Sequence, residues 1–480
     1  MPKFIFAIFF SLLFVQYAFA QDANYWSSSY NPGGFFTPGA VIAFNRDSGV
    51  MFLNPALLAY SNKNTASFNG SLYQYRNINI KNAVGTGLDL DSKTGSIVPL
   101  MASASISIKG KHPFTIGYAL IHNPVMSFQV TQQRDARFNV LNDSYSSGDE
   151  SFLGQFRYQN NINETEGVIS GGVKLSDRFA IGLSASAQLR KQNYSVDVTS
   201  KALYNDNSTT ALPPFANVEE TYLAGYYNVG IRLKGGLAYS YDNHHWGFTF
   251  ALPFIKVMGK GNVLSNDQIN DLKIPGAGAD INLLANSRQQ NLRETYKMPL
   301  SIGLGYTYDY KKGQVYFATE YFAKINEYNI LTPRSQSFIK GDVGAGDLSA
   351  PQFLRFKDAR KSVINFGIGA SYRLDPEVIG FLALHTNFSY ANDYLYNDTD
   401  GYKANTANYN IYHCQIGANF KKRNFNFRAG LLLSYGGTNS YKQYINFDNP
   451  NESNFLNGNP GFTKASQFNA GLMLAYIHNL

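Results

Sequence analysis

From about position 65 onward the chain alternates apolar and polar side chains with a period of two, run after run. Leu300, Ile302, Leu304, Tyr306 and Tyr308 stand against Ser301, Gly303, Gly305, Thr307 and Asp309. Phe179, Ile181, Leu183, Ala185 and Leu189 stand against Gly182, Ser184, Ser186, Gln188 and Arg190, and Phe425, Phe427, Ala429, Leu431 and Leu433 against Asn426, Arg428, Gly430 and Ser434. This period belongs to a β-strand with two unlike faces. A soluble sandwich alternates in the same way, so the connections must decide. Short turns fall at 109–113, 176–178, 242–245, 310–313, 375–378 and 421–424. Longer polar segments at 82–94, 133–160, 200–221, 261–292, 331–352, 397–405 and 447–461 alternate with them. Tight turns on one side and long loops on the other are the plan of a transmembrane β-barrel, and the count reaches about fourteen strands. Several runs exceed the ~9–11 residues that a tilted strand needs to cross a bilayer, so their excess is expected to project on the loop side.

Composition sharpens this picture. The sequence carries 34 Tyr, 36 Phe and 42 Gly, a balance that suits interfacial aromatic girdles outside and small residues inside. Mean hydropathy is only -0.24, and no later run approaches a membrane-spanning helix. No low-complexity linker divides the chain, so its 480 residues form one architecture. The net charge of +8 comes from scattered basic residues, without the compact basic, aromatic-interleaved segment of a nucleic-acid binder. Cys414 stands alone, which excludes an internal disulfide; it reads as a small apolar wall residue. Lys3, the apolar run from Phe4 to Val15 and Ala18-Phe19-Ala20 make 1–20 a secretory signal peptide.

The segment 21–64 fits neither strand nor helix. Its Pro32, Gly33, Gly34, Phe35, Phe36, Pro38 and Gly39 supply apolar groups to bury but no period to bury them with. Preceding a closed wall at 65–480, it is expected to fill the lumen as a plug that ends in Asn54-Pro55-Ala56. A signal peptide, a plug with Asn54, Pro55 and Ala56 just before the first strand, and about fourteen strands together resemble the FadL-type outer-membrane transporters. That resemblance implies an all-β transmembrane antiparallel barrel of about fourteen strands with an N-terminal hatch. It implies passive uptake of long-chain fatty acids or similar hydrophobic molecules across the bacterial outer membrane. Leu480 departs from the aromatic residue with which such barrels usually end, although Tyr476 lies on the same alternation face. The expected partners are a fatty-acid-like small molecule, outer-membrane lipid and, during biogenesis, the barrel-assembly machinery. The barrel is expected to be a monomer without cofactor or metal.

Asn123-Pro124 lies inside the run 114–132. Proline has no N–H for the ladder, and a closed barrel has no edge on which to hide the loss, so a bulge or gap is expected there. In the resembled family an inward kink of the third strand makes a lateral opening, and this run is the third strand. Pro253 is a rival site. Arg190, Arg232, Lys234 and Arg428 face inward and are candidates for an acid head group, unless they pair with Glu320 or with the plug. Gly303, Gly305, Gly367 and Gly369 permit close approach of a ligand or of the plug. Ile269, Leu272, Ile274, Ile281, Leu283 and Leu284 make 261–292 more apolar than an exposed loop should be, either as a capture patch or as the loop's own core. No Gly-x-Ser-x-Gly elbow, His-Glu-x-x-His pair or phosphate loop appears, and the adjacent His244 and His245 should point apart. A surface-binding barrel that acts through its long loops, and a barrel lipid hydrolase, remain as alternatives.

Overall fold

The computed structural model describes residues 23–26, 42–43, 48–61, 64–96, 100–110, 113–205, 214–273, 280–340, 350–392, 394–395, 400–406, 408–422 and 424–479. The signal peptide expected at 1–20 and the Pro/Gly/Phe-rich part of the plug expected at 21–64 lie outside the described residues, as does Ile274.

The wall begins with β1 (Thr65–Ile80), β2 (Leu90–Ser96) and β3 (Leu100–Ile108), followed by the long strands β4 (Phe114–Phe138), β5 (Glu150–Lys174), β6 (Phe179–Leu203) and β7 (Phe215–Tyr241). Next come β8 (His244–Ala251), β9 (Ile255–Lys273), β10 (Asp280–Arg293), β11 (Ser301–Tyr310), β12 (Gly313–Phe322), β13 (Ile325–Leu331), β14 (Ile339–Lys340) and β15 (Phe356–Arg360). The chain ends with β16 (Val363–Asp375), β17 (Val378–Asn387), β18 (Tyr402–Lys403), β19 (Ile411–Lys421), β20 (Phe425–Lys442) and β21 (Phe462–Asn479). Antiparallel pairing runs β1-β3-β4-β5-β6-β7-β8-β11-β12-β16-β17-β19-β20-β21 and returns to β1, a closed barrel of 14 strands. Above this ring β2 continues β3 along β1, and β9 continues β8 along β7 after the interruption at Leu252-Pro253-Phe254.

All six short turns stand where the alternation breaks in the sequence. Several of the long connections are shorter than expected, although those around 397–405 and 447–461 are longer. The segment 133–160 reduces to 139–149, because β4 and β5 pair as far as Phe138 and Glu150. The segment 261–292 is chiefly the paired hairpin of β9 and β10 and not a loop. Around 331–352 and 397–405 the chain leaves the wall, and β13, β15 and β18 form a separate inner sheet in which all of β15 is buried.

The wall has two storeys with opposite polarity. Near the short turns the outward side chains are apolar: Tyr118 and Leu120 on β4, Ile169 on β5, Leu183 on β6, Leu304 on β11 and Leu431 on β20 are exposed. Tyr239, Tyr241, Trp246, Tyr308 and Tyr476 add aromatics near the turns, as at a membrane interface. The inward positions there are small or polar, such as Thr115, Ser170, Ser184 and Ser301. Higher up the faces exchange character. On β4 the outward residues become Ser127, Gln129, Thr131, Gln133 and Asp135, while Met126, Phe128 and Val130 are buried inside. Phe152, Phe156, Tyr194, Val196, Val198, Tyr222 and Phe356 join them in one core. Such a core is the arrangement of a protein surrounded by water.

Candidate functional site

The lower lumen is occupied by the chain segment preceding β1. Two 3-10 helices, Ser48–Phe52 and Pro55–Tyr60, pack against the inward faces of β3 to β7, and Val50, Met51, Ala56, Leu57 and Leu58 are fully buried there. Asn54 Oδ1 accepts the Ala56 N–H at 3.1 Å and caps the second helix, leaving Pro55 at the first helical position, where no N–H is needed. Asn54 Nδ2 donates to the carbonyl oxygens of Ile42 at 2.6 Å and Leu237 at 3.1 Å. One amide thereby ties two parts of this segment to the wall.

Glycines in the wall make the fit possible. A Cβ on Gly182 would lie 2.4 Å from Ala56 N, and one on Gly247 would lie 1.6 Å from the Ile42 carbonyl oxygen. Gly303 and Gly305 face Ile42 and Ala43, so these two predicted glycines meet the N-terminal segment; Gly369 is crowded by its own sheet.

Above this segment is a cavity of about 180 Å³. Met51, Phe52 and Leu53 form its floor, β4 to β7 its side, and Arg360 and Tyr390 part of its roof. Its charged groups are largely spoken for. Arg190 pairs with Glu164, donates to the Tyr226 hydroxyl at 3.0 Å and lies 4.4 Å from the Tyr296 ring centroid. Arg360 donates to Asp358 Oδ2 at 2.8 Å and covers Tyr390. Arg232 donates to the carbonyl oxygens of Leu252 and Pro299 at 3.2 and 3.1 Å. Lys234 donates to the Phe52 carbonyl oxygen at 2.6 Å, which links the wall to the floor. Glu320 accepts the Trp26 Nε1–H at 2.6 Å. The structure thus brings Arg190, Arg232 and Lys234 together, but Arg428, on β20, lies outside the cavity lining: alternation assigns a face, not a height or a place around the ring. Glu164, Glu166, Arg360 and Tyr390 were missed; the inward phase of β5 marked the two acids, whereas Arg360 and Tyr390 come from the inward-folded upper segments.

One side of the cavity reaches a weak place in the wall. The β3–β4 ladder ends at Leu100↔His122, and β4 then passes through a bulge at Pro124 and Met126 while remaining paired with β5. Among the described residues no backbone pairing joins β4 to β2 above that point. Side chains span this seam instead. Arg76 Nη1 donates to the Val125 carbonyl oxygen at 3.2 Å, Gln132 Nε2 to Asp89 O at 2.8 Å, and Arg134 Nη2 to Thr86 O at 2.9 Å. Asn123 and Val125 line the cavity at this edge. Asn123 is fully buried, and neither its Oδ1 nor its Nδ2 has a hydrogen-bond partner among the described residues.

The capture-patch candidates are distributed differently from the expectation. Leu272 belongs to the upper core, Ile269 and Leu283 pack against it, and Leu284 faces outward. Of the two expected readings, Ile269, Leu272 and Leu283 follow inward packing in the β9–β10 hairpin, and Leu284 stays exposed. In the same upper storey a second cavity, of about 530 Å³, is lined by Tyr158, Tyr194, Glu220, Asp267, Tyr402 and Tyr444 among others. Glu220 accepts from the hydroxyls of Tyr402 at 2.9 Å and Tyr444 at 2.6 Å and stands directly across the ladder from Asp267. Burial, then the Glu220 charge, push Asp267 up to about 7. His244 and His245 do point apart: His244 lies beside Trp246, while His245 meets Ser240 at 2.9 Å and Asp309 at 3.2 Å in a polar network at the turn end.

No family model matches the sequence, and no curated protein matches it. Solved structures do. A Pseudomonas aeruginosa FadL homologue covers 92% of this chain with 96% of its own, at 12% identity and a TM-score of 0.55. The Pseudomonas putida toluene transporter TodX covers 94% with 95% of its own, at 13% identity and a TM-score of 0.51. The Ralstonia pickettii toluene transporter TbuX covers 94% with its full length, at 13% identity and a TM-score of 0.50. At these identities the likeness is one of fold. It extends over nearly the whole barrel, so the fold is the one these barrels share, and the outward belt near the short turns is apolar.

Proposed function

We propose that this FadL-type barrel is a passive outer-membrane channel for hydrophobic small molecules, which enter from the loop side, rest in the cavity and leave sideways between β2 and β4. The observation that carries this reading is that the cavity ends at the seam where the β3–β4 ladder stops beside Pro124. Below the cavity, the segment around Asn54-Pro55-Ala56 is seated on the wall and acts as the plug. The energetics favour a side exit. At roughly 0.8 kcal/mol per CH₂ moved into water, a sixteen-carbon chain released into the periplasm meets an opposing term of about 12 kcal/mol, whereas an opening onto lipid avoids most of it. The toluene transporters TodX and TbuX and the FadL homologue share the fold, which supports hydrophobic cargo as the class.

The test is passage of dodecanoate and toluene through the protein reconstituted in liposomes. Deleting Val125 removes the extra residue of the bulge and leaves every other inward position of β4 inward. Passage is expected to fall by about tenfold as the seam closes, an energy change of roughly 1.4 kcal/mol. Passage no greater than that of protein-free liposomes sinks the channel reading; undiminished passage without Val125 sinks the side exit.

A further inference from the structure

On the outside of the wall, the level where the strands change polarity is marked by positive charge. A belt of about 25 Å takes about ten residues of a strand that rises ~3.3 Å per residue and is tilted by about 40°. Counted from Phe179 at the short turn, β6 crosses it with Leu183, Ala185, Ala187 and Leu189 outward. The next outward residue is Lys191. From it the ladder runs through Tyr227 on β7 and Lys260 on β9 to Arg293 on β10. All four are exposed, and among the described residues none of the three cations has an ion-pair partner. Lys260 Nζ reaches only Asn291 Oδ1, at 3.4 Å.

Lys260 and Arg293 stand directly opposite each other across the β9–β10 ladder, where like charges repel. No acid on this face offsets them. The next two outward rows hold Asn161, Asn193, Asn262 and Arg288, and the first outward acid on β6 is Asp197, six residues above Lys191. Below the cations the surface is apolar, with Ile231, Ile255, Val257 and Met258 exposed. At Ile231 it runs into an outer groove of about 770 Å³, in which Tyr118, Leu120 and Ile169 stand beside the small Gly167, Ala185 and Ala187. Cations and amides thus lie directly above an apolar groove. Three cations spread over the strands β6 to β10 call for more than one negative charge, which a phosphate carries and a single carboxylate does not. The asparagines add neutral donors and acceptors of the kind that sugar hydroxyls meet.

We infer that Lys191, Lys260 and Arg293, with the neighbouring asparagines, form a station on the outer wall for the phosphorylated sugar head of a membrane glycolipid, whose acyl chains lie over Ile255, Val257 and Met258 and reach the groove beside Ala187. Arg293 offers phosphate a planar fork and the two lysines offer point charges. The bound phosphate offsets the repulsion between Lys260 and Arg293. The station uses neither the lumen nor the seam, so it stands apart from the route proposed for cargo.

The experiment measures binding of lipid A and of dephosphorylated lipid A to the full-length protein in dodecylmaltoside micelles by native mass spectrometry, with inorganic phosphate as competitor. The wild type is expected to prefer the phosphorylated lipid about tenfold, the scale of charge-assisted hydrogen bonds, and to lose that preference as salt rises toward ~0.5 M. Lys260→Gln with Arg293→Gln is expected to abolish the preference, Lys191→Gln to lower it by a smaller factor, and Lys260→Arg to keep it. Lys109→Gln with Lys311→Gln removes two exposed cations at the short-turn end and is expected to change nothing. A preference unaltered by the Lys260 and Arg293 substitutions overturns the station, as does an equal loss in the control at the short turns. Displacement of lipid A by millimolar inorganic phosphate overturns the lipid as ligand and leaves a plain anion site. If the double variant fails to fold, Lys191→Gln and Lys260→Gln decide: no change in either overturns the station.

Discussion

The lower and upper storeys of this barrel are built from the same strands and obey opposite rules. On β6, Leu183 and Ala185 face outward below while Ser184 and Ser186 face inward; higher up Lys191, Asn193 and Ser195 face outward while Tyr194, Val196 and Val198 are inward. The lower storey is solvated by lipid and filled with polar groups and a seated segment. The upper storey is solvated by water and filled with a hydrophobic core. The difference teaches that one strand has no fixed inside chemistry: the outer solvent decides which face must be apolar. The cavity and the seam lie at the level where the two rules meet, and neither storey supplies there a complete set of partners.

The strongest way to break the comparison is to put lower-storey chemistry into the upper core. Val198→Asp places a charge at a fully buried site, and a loss on the order of 4 kcal/mol is expected in the upper storey. Limited proteolysis should then cut the loop-side hairpins while the lower barrel keeps its strand signal in circular dichroism; equal resistance in both proteins contradicts the separate core.

A smaller effect is expected from Gly182→Ala. The new methyl meets the backbone of Pro55 and Ala56, which should loosen the seated segment by about 1–3 kcal/mol. Protease access to 48–61 measures it, with the wall intact; unchanged protection means that the seat has more give than the packing distances allow.

A pH profile sharpens the water-facing side. Asp267 holds its proton to about pH 7 in the fold and to about 4 when unfolded. The folded state binds the extra proton, so the stability of the upper strands should decline as pH rises from about 4 to about 7 and level off above that. Hydrogen exchange at residues 221–223 should report it, and Asp267→Asn should flatten the profile. A profile that slopes equally in the variant assigns the effect to another group.

Much of the lower storey was legible in the sequence because lipid forces an apolar outer face and turns need Gly, Asn, Asp or Pro. Runs such as 300–308 read as strands with two unlike faces, and the alternation of short and long connections turns them into a barrel. The upper storey was not legible in the same terms. Gln133, Asp135 and Arg137, outward on β4, look like loop residues when the apolar face is assumed to point outward, and so the pattern reads 133–160 as a connection. Pro124 announced the bulge, since a missing N–H is a local fact. Arg76 announced nothing: in the sequence it is one more polar inward residue, and only the fold brings its guanidinium to the Val125 carbonyl across the seam. Arg428 faces inward on β20 as the alternation says, but it does not line this cavity, because alternation gives a face and not a position around the ring.

The closure of the ring sets an order in time. The segment inside the lumen precedes β1, yet its seat lies on β5 to β8 and β11, in the middle of the chain, and the last pairing joins Thr65 to Asn479. Closing such a distant contact is slow. The segment is therefore seated most readily while β1 and β21 are still apart, and a barrel that zips early would leave its own N-terminal segment to enter by an open end or by the seam beside β4.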